Sequence, residues 1–263
     1  TGELRGAIEI PDGFGRDLVA GHRPEIGVWI DGAMPFRAET ARGYLLGAEE
    51  TWLRDLARRA GSPDEASAAA EIVPRFRYNQ ELRSVYAIVP GVLALVLVLV
   101  PTMLMAVAIV REKELGSIIN FQATPVRRIE FLLGKQAPYV AISFVAFLLL
   151  TLVTVALFRV PLKGSFAALA LGAGLYVWAA TGLGLLVSAF TRTQIAAIVV
   201  AAVLTALPSI QFSGLIAPVS SLTGAAAVMG RAFPASWFNR ISVGVFTKGL
   251  HADDLLGAYA ALA

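Results

Sequence analysis

From Val85 onward the chain alternates long apolar runs with short charged gaps. Residues 85–110, 137–158, 166–189 and 195–216 contain no charged side chain. Each meets the ~20 residues that an α-helix needs to cross hydrocarbon. A further apolar run begins at Leu255 and is cut off at Ala263. Four uncharged runs of this length exceed the ordinary helices of a soluble core, so membrane spans fit better than buried helices.

Before Val85 the period is different. "GAIEIP" alternates like a short strand and closes on the turn pair Asp12-Gly13, and "GFGRDLVAG" suits a short helix ending at Gly21. "EIGVWIDGA" predicts a second strand stopping at Asp31-Gly32. "PFRAETARGYLLGAEETWLRDLARRAG" predicts a longer amphipathic helix, with Leu45, Trp52, Leu53 and Leu56 at helical spacing and Gly61 at its end. "SPDEASAAA" reads as a linker and "EIVPRFRYN" as a third extended piece. The expected fold is therefore mostly α: a polytopic transmembrane helical bundle over residues 85–263, with a small, partial α/β domain over residues 1–84. The α/β unit is about half a typical domain and needs further strands to complete its sheet.

Composition supports this division. The chain is 57% hydrophobic and 16% charged, against about 25% charged in average soluble domains. A net charge of +3 allows a nucleic-acid partner in principle. In a chain with such apolar runs it fits better as Lys and Arg lining cytoplasmic loops, with no direct nucleic-acid contact. Cysteine is absent, which excludes disulfides and thiolate metal sites. His22 and His251 stand far apart and form no metal-ligand pattern. The start at Thr1 and the stop inside "DLLGAYAALA" read as a fragment of something longer.

The charged gaps set an orientation. Segment 111–136 carries Arg111, Lys113, Arg127, Arg128 and Lys135, and the short 190–194 turn adds Arg192; the intervening 159–165 loop has only Arg159 and Lys163. This bias places 111–136 and 190–194 in the cytoplasm and residues 1–84 outside it, although Arg231, Arg240 and Lys248 add positive charge on the far side.

Within the spans, Ala180, Gly184 and Ser188 recur at four-residue spacing, as do Ala197, Ala201 and Thr205. Small residues so placed let helix backbones approach closely. Pro101 and Pro208 each remove one helical hydrogen bond and are candidate kinks, either for packing alone or for motion. Residues 217–254 are semi-apolar and broken by Gly and Pro. They read as short helices lying at the outer surface or dipping into it, with Trp237 and Phe238 near the lipid interface. Gln211, near the end of the fourth run, is expected to bond a neighbouring helix, the alternative being contact with a substrate.

The segment "AIVREKELGSIINFQATPVRRIEFLLGKQAPYV" stands out. Leu115, Ile118, Ile119 and Phe121 lie among its charges, so one side can rest on a membrane surface. Arg111 and Glu114 can pair three residues apart. Thr124 is a candidate N-cap and Pro125 suits the first helical position, while Phe131, Leu132 and Leu133 point the next helix into the bilayer. The expected result is an elbow of interfacial helix, turn and membrane re-entry that offers a docking surface; the plain alternative is a solvated loop.

"VREKELGSIINFQATPVRRIEFLLGKQAPY", "ATGLGLLVSAFTRTQIAA" and "PSIQFSGLIAPVSSL" resemble the type-2 ATP-binding-cassette (ABC) transporter permease family. Within it they resemble the permease half of the ribosome-associated ATPase fusion proteins. "IPDGFGRDLVAG" and "VWIDGA" resemble the family's extracellular domain. The resemblance implies a six-helix permease half of an inner-membrane exporter, with the first helix missing here and the sixth truncated. It implies dimerisation with a second, identical or different, permease half. It also implies cytoplasmic ABC ATPase domains, in the same chain or a separate subunit, which hold ATP and Mg and act on the elbow. Arg111, Glu112, Glu114, Glu130 and Lys135 would then couple nucleotide-driven closure to the membrane helices.

No catalytic constellation accompanies this. A G-x-x-x-x-G-K-[ST] phosphate loop is absent, since Gly134-Lys135 is followed by Gln136. The chain is therefore expected to be no enzyme and to hold no cofactor or metal itself. Two other readings stay open: a membrane anchor that positions an ATPase and moves nothing, and an ion-coupled carrier. The carrier is disfavoured because no acidic residue lies inside the four runs.

Overall fold

The computed structural model describes residues 6–20, 22, 25–33, 35–60, 71–78, 83–116, 127–215, 219 and 222–263. They fall into two compact units, residues 1–87 and 88–263.

In the first unit, β1 (Gly6–Glu9) runs antiparallel to β2 (Glu25–Asp31), with Gly6 opposite Ile30. β3 (Glu71–Arg77) runs parallel to β2, giving the order β1-β2-β3. The short α1 (Phe14–Val19) joins β1 to β2, and α2 (Pro35–Ala60) is the crossover that a parallel pair requires. Strand alternation sends Ile26, Val28, Ile30, Ile72 and Phe76 to one face, where they pack on Ala38, Ala41 and Leu45 of α2. Trp52, expected on that buried stripe, is instead half exposed. On the other face the Trp29 indole donates to Glu9 Oε2 at 2.7 Å, and the Arg75 guanidinium stands 5.7 Å from the Trp29 ring.

The second unit contains four helices long and apolar enough to cross a membrane. These are α3 (Val85–Glu114), α4 (Arg128–Ala156), α5 (Phe166–Phe190) and α6 (Gln194–Phe212). α3 and α5 form the inner pair. α4 and α6 turn broad apolar faces outward, with Leu152 62% and Ile195 77% exposed, as helices bordered by lipid require. α3 and α6 continue unbroken through Pro101 and Pro208.

The helix ends differ from the hydropathy boundaries. α3 runs on through Arg111–Glu114 and α4 already begins at Arg128, so these charges lie on the ends of the long helices, and the interfacial helix expected between them falls largely outside the described residues. The expected cap at Thr124 and Pro125, and the apolar Ile118, Ile119 and Phe121, lie outside the described residues. α4 instead has Arg127 as its N-cap, whose backbone N–H donates to Glu130 Oε2 at 3.1 Å.

α7 (Gly224–Ala232), α8 (Pro234–Val243), a π-helical turn (Gly244–Lys248) and a 3-10 turn (Ala252–Leu255) lead into α9 (Leu256–Leu262). α8 packs on the bundle. Its apolar face is buried against α5, where Phe238 stacks on Tyr176 with ring centroids 4.4 Å apart. Phe238 is thus fully buried rather than interfacial, because an amphipathic helix next to an apolar bundle gains most by turning that face inward. Trp237 is half-buried and its indole donates to the Arg231 carbonyl. Gln211 is exposed. Polar side chains tie these pieces to the bundle: Ser242 donates to the Pro90 carbonyl and Tyr259 to that of Ala168.

Candidate functional site

The charges flagged at the α3–α4 connection assemble at one end of the bundle. Glu112, Lys113 and Glu114 are consecutive at the C-terminus of α3, and each ties that end to a different helix. Glu112 forms an ion pair with Lys135 of α4, the side chains being 18% and 31% exposed. Lys113 Nζ donates to the Ser188 carbonyl in the last turn of α5. Glu114 accepts from the backbone N–H of Gln194, the first residue of α6, at 2.9 Å and also from its side-chain amide.

Why the sequence builds this arrangement follows from helix ends. An α-helix leaves carbonyls unpaired at its C-terminus and N–H groups unpaired at its N-terminus, with partial charges to match. α5 and α6 are separated only by 191–193, so a carbonyl-rich end and an N–H-rich end lie side by side. At α5 the Thr191 N–H and hydroxyl take the Val187 carbonyl, and Lys113 takes that of Ser188. At α6, Thr193 Oγ1 accepts from the Ala196 N–H, and Glu114 takes the N–H of Gln194. Adjacent residues of opposite charge thus meet helix ends of opposite polarity.

Deeper in the bundle, Gln136 is buried and donates to the Trp178 carbonyl at 3.0 Å and to Thr181 Oγ1 at 2.8 Å, joining α4 to α5. Thr102 Oγ1 donates to the Ala180 carbonyl at 2.9 Å, and the Tyr176 hydroxyl to that of Ala94 at 2.8 Å, joining α3 to α5. Ala180, Gly184 and Ser188 are all buried. Ala197 and Ala201 of α6 share a buried cluster with Ala106 and Val110 of α3 and Val187 of α5.

The candidate residues are therefore brought together unevenly. Glu112 and Lys135 meet directly, and Glu114 reaches α6 instead of Arg111. An Arg111–Glu114 pair is not among the ion pairs of the described residues, and Arg111 is exposed. Glu130 caps its own helix. Sequence reasoning missed Lys113, Gln194, Gln136 and Thr181 as members of the network. One signal was available: Thr193 just before the fourth apolar run is a ready N-cap, marking a helix start that a carboxylate can meet. Among the described residues no cluster of three or more His, Asp or Glu suits a metal.

Comparison with known proteins completes the picture. The family model described as ABC-2 family transporter protein matches residues 1–256. The probable multidrug ABC transporter permease YbhS of Escherichia coli (strain K12) is 30% identical over 250 residues, covering 95% of this chain and 66% of the relative. The inner membrane transport permease YhhJ of the same organism is 26% identical over 255 residues, with the same coverage. The probable multidrug ABC transporter permease YbhR is 23% identical over 215 residues, covering 82% of this chain and 57% of the relative. This chain thus spans up to 66% of the length of these relatives. No solved structure matches it. With four spanning helices, a charged hub joining them at one end and a family match over residues 1–256, the chain belongs to the ABC-2 family of transporter proteins.

Proposed function

We propose that the chain is the permease part of an ABC exporter, with its charged hub in the cytoplasm and residues 1–84 extracytoplasmic. ATPase domains act on the hub end, and their closure on ATP is passed to the spans. The observation that carries this reading is the run Glu112-Lys113-Glu114, which connects the end of α3 to α4, α5 and α6 at once. A push delivered at the α3–α4 connection therefore reaches every described span. Such an element is biased by nucleotide at one end and by cargo at the other, which is the thermodynamic content of coupling. The excess of Lys and Arg on this side supports the orientation. The names of YbhS and YbhR make apolar drugs the first cargo class to test. The ATPase domains belong to the same chain or to a separate subunit, and YbhS, YhhJ and YbhR are named as permeases.

The test uses the complete transporter with its ATPase in lipid vesicles. ATP-dependent flux of apolar fluorescent drugs is expected, and it disappears when the ATPase cannot hydrolyse ATP. Arg111→Ala with Glu114→Ala should leave nucleotide binding intact and remove transport. ATP turnover without flux of any probe assigns the chain to an anchoring role. Flux driven by an ion gradient with the ATPase disabled assigns it to a carrier. A cysteine at Arg127 that impermeant reagents reach from outside whole cells overturns the orientation.

A further inference from the structure

We propose that Lys113 and Glu114 are positioning residues that splint the α5–α6 turn to the end of α3, so that the charged ends of α3, α5 and α6 travel as one rigid body. The turn itself, 191–193, has few means of holding its shape. Thr191 and Thr193 satisfy one helix end each from within the turn, and nothing in those bonds fixes the turn relative to α3. Among the described residues, three bonds from the neighbouring Lys113 and Glu114 of α3 do so. Their charges have the sign each helix end favours: an ammonium on the carbonyls closing α5, a carboxylate on the N–H groups opening α6. Exchanging the two side chains would set like against like at both ends, so charge order as well as reach is specified.

The packing beneath the splint points the same way. Gly184 brings α3 and α5 into close backbone contact, and Ala197 and Ala201 of α6 pack with Ala106, Val110 and Val187 in one buried cluster within about two turns of the splint. Small side chains in such contact leave little room for sliding. α4 packs along α5 as well, through the Gln136 bonds and the stacking of the buried Phe147 on Phe166, and it meets the end of α3 through the Glu112–Lys135 ion pair. The splint itself involves only the ends of α3, α5 and α6.

This deepens the permease reading and rests on it only for the source of the motion. The experiment uses the complete transporter and its ATPase in lipid vesicles, with cysteines at Leu115 and Ile195. Both positions are exposed, and the chain has no cysteine of its own. A short bifunctional thiol reagent is expected to join them with the same yield in nucleotide-free, ATP-bound and vanadate-trapped protein, and the joined protein should still hydrolyse ATP. Adding Glu114→Ala or Lys113→Met should lower the yield by about two- to five-fold, the range that helix-end charges support, and make it vary with nucleotide. Lys113→Arg should restore both features.

A yield that changes with nucleotide in the parent pair, an arrest of ATP turnover on joining, or no effect of the Lys113 and Glu114 substitutions overturns the proposal. Should the paired-cysteine chain fail to fold, hydrogen exchange at the Gln194 amide decides. Exchange about two- to five-fold faster in Glu114→Ala supports the splint, and unchanged exchange overturns it. The nucleotide-free arm needs no transport. An intact splint without ATP-driven flux therefore counts against the permease reading alone.

Discussion

Gly184 faces Thr102 so closely that a Cβ built on it would stand 2.5 Å from the Thr102 carbonyl oxygen, and 2.7 Å from Cβ of Met105. This contact sets the separation of the two inner helices. Neither obstacle is the tip of a flexible side chain, so an added methyl must push α3 and α5 apart. Gly184→Ala is expected to destabilise the bundle by about 1–3 kcal/mol. Gly182, two residues earlier, has nothing within 4 Å of such a Cβ. Gly182→Ala should be neutral or stabilise by up to about 1 kcal/mol through helix propensity. Thermal unfolding of the two variants in the same detergent checks the contrast.

The Glu112–Lys135 pair is partly buried and joins α3 to α4. Removing either charge leaves the other partly desolvated at the end of the bundle, so Glu112→Gln and Lys135→Met should each destabilise. The reversed pair Glu112→Lys with Lys135→Glu should recover part of the loss. A double-mutant cycle on unfolding midpoints is expected to give a coupling of about 1–2 kcal/mol. A coupling near zero would mean that other partners carry the charges.

Gln136 bridges two acceptors on α5 from inside the bundle. Gln136→Leu keeps volume but removes both bonds, leaving the Trp178 carbonyl and the Thr181 hydroxyl with their helical partners only. The expected cost is about 0.6–2 kcal/mol, in line with hydrogen bonds between membrane helices. Thr181→Val should cost less, because the bond to the Trp178 carbonyl remains. Unfolding in mixed micelles separates the two.

Tyr176 contributes a ring and a hydroxyl to different neighbours. The ring stacks on Phe238 and the hydroxyl donates to the Ala94 carbonyl. Tyr176→Phe should lose about 1 kcal/mol with α8 still seated. Tyr176→Ala should lose about 3–5 kcal/mol and release α8. Protease sensitivity between α7 and α9 reads the second effect directly, and equal sensitivity in both variants would show that the stack does not hold α8.

Much of this architecture is legible along the chain. The strand signals in "EIGVWIDGA" and "EIVPRFRYN" located β2 and β3, while their parallel pairing and the face they bury come from the tertiary structure. Uncharged length alone located four spanning helices to within several residues. Both signals are local: a period or a run length is fixed by covalent order and by what the backbone must bury. The boundaries were off where charge did not mean loop. α3 continues through Arg111–Glu114 because Glu112, Lys113 and Glu114 find partners across the bundle, which one-dimensional hydropathy has no means of registering.

By itself, then, the sequence determined the division into an α/β unit and a membrane bundle, the number of long spans, and the concentration of charge at one connection. Only the tertiary structure decided which charge meets which helix. Lys113 reaches Ser188 across 75 residues and Glu114 reaches Gln194 across 80. It also turned α8 inward, so that Phe238 lies against Tyr176 instead of lipid. These outcomes depend on how each helix is rotated about its axis and where it crosses its neighbours. Many weak packing contacts fix those two variables jointly, and no single stretch of chain encodes them.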